Sequence, residues 1–83
     1  MNPALSPDGQ KVLRVLLERS ALSGGELANL TGLTPALLYD ATQELLKARV
    51  ISVNEPSSDA NQILRIYFNL NPSARSFAEF AVS

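Results

Sequence analysis

Apolar residues recur at helical spacing over the first half of the chain and alternate with polar ones later on. Between residues 6 and 20, Val12, Leu13, Leu16 and Leu17 fall on one stripe, with Arg14, Glu18 and Arg19 largely off it. Ser6 suits an N-cap and Pro7 a first helical position, so a first helix is predicted over 6–20. Leu22 lies in a short connector. Ser23 and Glu26 then carry the spacing of a capping box, in which each side chain satisfies an amide at the helix start. Leu27, Ala28 and Leu30 follow, and Gly32 ends this second helix, predicted over 23–31, in the left-handed conformation that glycine adopts cheaply. Thr34 and Pro35 repeat the cap and first-position pair. Leu38, Ala41, Thr42 and Leu45 then share one face of a third helix, predicted over 34–49.

The pattern changes at Val50. Residues 50–55 begin with the largely β-branched, partly alternating run Val50-Ile51-Ser52-Val53. Over 62–70, Leu64, Ile66, Phe68 and Leu70 alternate with Arg65, Tyr67 and Asn69. Both segments read as strands. Glu55-Pro56-Ser57-Ser58-Asp59-Ala60-Asn61 between them is rich in turn formers, which implies an antiparallel hairpin. Asn71-Pro72 restarts a helix over 72–81 that carries Ala74, Phe77, Phe80 and Ala81. The order helix, helix, turn, helix, hairpin, helix is that of a winged helix-turn-helix. The expected fold class is therefore α+β and mostly helical, with a three-helix bundle, a two-stranded antiparallel wing and a C-terminal helix in one domain over 1–83.

Composition narrows the chemistry. With 83 residues, 46% apolar and 18% charged, the chain suits one folded domain. It has no cysteine and no histidine, so a disulfide, a thiolate or imidazole zinc site and a nucleophile–histidine pair are all excluded. Without a phosphate-cradling glycine loop or a convergent polar cluster, no enzyme activity and no cofactor are expected. Apolar runs are only a few residues long and the N-terminus lacks a basic start and apolar stretch, so neither a membrane span nor a secretory signal is read and the expected location is cytoplasmic. The net charge is −1, whereas a domain that neutralises many phosphates usually has a clear basic excess.

Within this order, Gly24 to Gln43 matches the bihelical pattern in some detail. The small Ala28 after Leu27 lets two helices approach, Gly32 makes the turn, Leu33 plugs the core, and Leu38 and Ala41 face inward. Leu33-Thr34-Pro35-Ala36-Leu37-Leu38, continuing to Leu45-Leu46-Lys47-Ala48-Arg49-Val50-Ile51, resembles the recognition helix and first wing strand of MarR-like and ArsR-like bacterial transcription regulators. The resemblance covers roughly residues 6–70. It implies a homodimer on duplex DNA, with the third helix in the major groove and the wing tip along the adjacent minor groove. It also places Thr34, Pro35, Ala36, Leu37, Tyr39, Asp40, Gln43 and Glu44 on or near the groove-facing surface. Gln43 is then a candidate reader of adenine, and Thr34 and Tyr39 are candidate phosphate contacts. Lys47, Arg49 and Arg65 are candidate phosphate contacts if they converge near the end of the third helix and the hairpin. Lys11, Arg14 and Arg19 remain on the first helix.

The chain departs from that family where its charges lie. From Gly24 to Lys47 the charged residues are Glu26, Asp40, Glu44 and Lys47, a net of −2, and the wing tip carries Glu55 and Asp59 with no base. Family members also often have glycine where Arg49 stands. These features motivate a second reading, a winged-helix module for a protein partner. Leu37 is then a contact on the third helix, and Phe77 and Phe80 form either core cover or a partner or dimer seam. Asp40 and Glu44, four residues apart on one helix, are also spaced as paired carboxylates; with no third ligand in view, they carry little weight as a metal or catalytic site.

Overall fold

The computed structural model describes residues 5–54 and 62–82. The expected wing tip at 55–61 lies outside them.

Four local signals set the first three helices. In α1 (Pro7–Arg19), Ser6 Oγ accepts from the Gly9 amide. In α2 (Gly24–Thr31) the capping box is complete: Ser23 Oγ accepts from the Glu26 amide at 3.2 Å, and the Glu26 carboxylate accepts from the Ser23 amide at 3.1 Å. Gly32 closes α2 at φ 74°. In α3 (Pro35–Lys47), Thr34 Oγ1 accepts from the Leu37 amide. Such caps satisfy amides that have no partner inside the helix and contribute about 1 kcal/mol each.

The far end of α3 is shorter than expected. Val50 N–H donates to the Leu45 carbonyl and Arg49 N–H to that of Leu46, the paired bonds of a Schellman ending, with Arg49 at φ 60°. Val50 and Leu45 are both buried and supply the apolar contact that accompanies this ending. The helix therefore stops at Lys47, because a left-handed residue cannot continue it.

The sheet has three strands, where the sequence predicts two. A short β1 (Ala21–Ser23) occupies the expected connector, and the order across the sheet is β1, β3, β2, antiparallel throughout. Three residues are too few for an alternation signal; β1 exists because β3 (Tyr67–Leu70) pairs with it, Leu22 opposite Phe68. On the other side, Val53 of β2 (Ile51–Val53) also stands opposite Phe68.

A further departure lies just before β3. Residues 63–65 form a single 3-10 turn, not a strand, and this breaks the alternation expected over 62–70. Ile66, Phe68 and Leu70 do face the core, but Ile63 takes the next inward place, fully buried, while Leu64 is left 38% exposed. The turn packs against α2, where a side chain on Gly24 would run into the Ile63 carbonyl. The last expected helix likewise divides into a 3-10 turn at Pro72–Ala74 and α4 (Arg75–Ala81).

Val12, Leu13 and Leu16 of α1, Leu27 of α2, and Leu38, Ala41 and Leu45 of α3 meet the inward sheet face in one core, with Ala78 of α4 joining it. Thr42 is buried as well, its hydroxyl donating to the Leu38 carbonyl. The element order and antiparallel sheet are compatible with a winged helix. No helix among the described residues is long and apolar enough to cross a membrane.

Candidate functional site

The geometry of α3 follows from which of its faces is buried. With Leu38, Ala41, Thr42 and Leu45 inward, the helical period turns Ala36, Asp40, Gln43 and Lys47 outward as one stripe at i, i+4, i+7 and i+11. Ala36, Asp40 and Lys47 are exposed and Gln43 half-buried. Pro35 and the capping Thr34 open this face and are exposed too. Tyr39 lies on one flank, half-buried against the core. Leu37 lies on the other flank, 45% exposed.

Glu44, which the resemblance puts on or near the groove-facing surface, is half-buried and lies off the outward stripe. Its Oε1 accepts from the Ser6 hydroxyl at 2.9 Å and from the Ser6 amide at 3.2 Å, which ties α3 to the start of α1. The carboxylate sits at the positive end of the α1 dipole, beside amides that the helix leaves unpaired. It approaches so closely that a side chain on Gly9 would collide with it. Asp40 and Glu44 thus point to different surroundings and do not form a carboxylate pair. Among the described residues, Asp40 is the one acid left on the outward stripe. Lys47 stands seven residues further on, about 10 Å along the axis, so it neutralises Asp40 only weakly at ~0.1 M salt.

The three expected phosphate contacts divide into two groups. Lys47 and Arg49 are both exposed at the end of α3. The Arg49 carbonyl accepts from Asn71 Nδ2 at 2.8 Å, which fixes this corner beside the chain leaving β3. Arg65 is exposed in the 3-10 turn at the opposite end of that strand. The extended backbone between Arg65 and Asn71 spans about 17–20 Å, so Arg65 does not converge with the other two. Phe77 is partly buried against the core, and Phe80 on α4 is 59% exposed.

Two cations of the first helix, Lys11 and Arg14, border a shallow groove. Lys11, Arg14 and Val15 of α1 face Leu30 and Thr31 of α2 across about 230 Å³. Leu30 is half exposed at its rim. The i, i+3, i+4 spacing puts Lys11, Arg14 and Val15 on one side of α1, yet only the packing of α2 makes that side part of a groove.

No protein-family model and no curated protein sequence matches this chain.

Proposed function

We propose that this chain is a winged-helix module that binds duplex DNA, with α3 entering the major groove. The observation that carries this reading is the outward stripe of α3. It belongs to a helix anchored at both ends, by the Thr34 cap and by the Arg49 corner, and it has a small residue, Ala36, where the backbone must approach base edges. Glu44 is occupied at α1, so the acidity seen along α3 reduces to one carboxylate on the surface that matters. Gln43 has the chemistry to pair with adenine, while the hydroxyls of Thr34 and Tyr39 suit phosphate. Lys47 and Arg49 supply charge at the far end. With so few cations, the reading implies weak binding that falls steeply with salt.

Fluorescence anisotropy with a labelled generic duplex tests this. Binding is expected at low ionic strength, with Asp40→Asn tightening it on every sequence and Gln43→Ala altering sequence preference by about 1–3 kcal/mol at one base pair. Absence of binding to any duplex at low salt defeats the proposal.

Leu37 supports a second reading, a module for a protein partner, since an apolar residue 45% exposed beside the stripe suits a protein surface as well as a groove. Under that reading Leu37→Glu removes a captured partner while the far-ultraviolet circular dichroism is unchanged. If the variant retains all partners, the reading fails.

A further inference from the structure

We infer that Arg49 is an anion contact retained at a backbone position better suited to glycine, and that its anion is a DNA phosphate. This rests on the DNA-binding reading above. The Schellman ending of α3 requires a left-handed residue after the helix cap, and where helices end this way glycine usually takes that place because a Cβ is strained there. Here it is held by arginine at φ 60°.

Folding gains little from this choice. Arg49 is exposed, and its guanidinium makes no hydrogen bond or ion pair with any described residue. Its backbone does the structural work: the amide donates to Leu46 and the carbonyl accepts from Asn71. Asn71 is itself held, its Oδ1 accepting from Ser52 Oγ at 2.6 Å. The point from which the side chain leaves the backbone is therefore fixed on two sides. Lys47, two residues before it, ends the outward stripe of α3. A strained, over-determined backbone carrying an uncommitted planar cation is the arrangement expected where a side chain serves a ligand. Guanidinium pairs with phosphate oxygens through two parallel N–H bonds.

Three variants and one duplex titration test the inference. Arg49→Gly is expected to raise Tm by relieving the strain, yet to weaken binding equally on all duplex sequences. It should also flatten the log–log salt dependence by about one unit for the lost phosphate contact. Arg49→Gln, which keeps the Cβ and removes the charge, is expected to show the same flattening without the gain in Tm. Arg49→Lys should keep most of the salt slope. An unchanged affinity and slope in Arg49→Gly overturns the inference while leaving the DNA reading intact, as does a fall in Tm for that variant. If the wild-type chain binds no duplex, both fall together.

Discussion

Gly32 and Gly24 are both glycines at helix boundaries, but for different reasons. At Gly32 the backbone has φ 74° and an added Cβ would meet nothing within 4 Å. Gly32→Ala therefore costs only the left-handed strain, about 1 kcal/mol. At Gly24 an added Cβ runs into the Ile63 carbonyl, and the Gly24 amide is already committed to the Ile66 carbonyl at 2.8 Å. Gly24→Ala must push two backbone segments apart, at about 3 kcal/mol or more. Urea unfolding of the two variants is expected to rank Gly24→Ala as clearly the less stable; the reverse order would mean that the 3-10 turn does not press on α2. The need for glycine at 32 is legible from sequence, because a turn between two helices is a local event. At 24 it is not, since the obstructing atom comes from a residue 39 positions away.

At the scale of elements, most starts and stops were written locally. Ser6-Pro7, Ser23 with Glu26, and Thr34-Pro35 each mark a helix start where the structure has one. What could not be read is how α1 and α3 are joined. Glu44 sits in a helical pattern like any surface acid, and only packing brings it against Ser6. Glu44→Ala is expected to lower stability by about 1–2 kcal/mol through loss of charge-assisted bonds at the α1 start. Asp40→Ala, one turn earlier but facing outward, should stay within about 0.5 kcal/mol of wild type. Equal unfolding midpoints for the two would show that the Glu44 contact contributes nothing. The same dependence on partners explains β1, whose three residues become a strand only through the pairing offered by β3.

Over the whole molecule, charge is better judged by where it faces than by its sum. The net of −1 argues against a polyanion partner. The charge is unevenly placed, however: the Glu44 carboxylate is tied to Ser6 at the start of α1, while Lys47 and Arg49 are both exposed at one end of α3. An amide-shift titration with generic duplex DNA at low salt is expected to move Ala36, Asp40, Gln43, Lys47 and Arg49 and leave Lys11, Arg14 and Thr31 still. Shifts confined to the α1–α2 groove would point to another binding surface and count against α3. Core integrity is tested separately: Phe68 is 1% exposed between strands on either side, and Phe68→Ala should cost about 3–5 kcal/mol.

Sequence by itself determined the four helical regions, the corner at Gly32 and the inward face of α3, because caps, glycine turns and a 3.6-residue period act within a few residues. Tertiary structure alone decided the third strand, the 3-10 turn that exchanges Ile63 for Leu64, and which acids of α3 remain outside. Each of these depends on atoms brought together from distant parts of the chain. No local pattern encodes that a carboxylate at 44 will find the amide of residue 6.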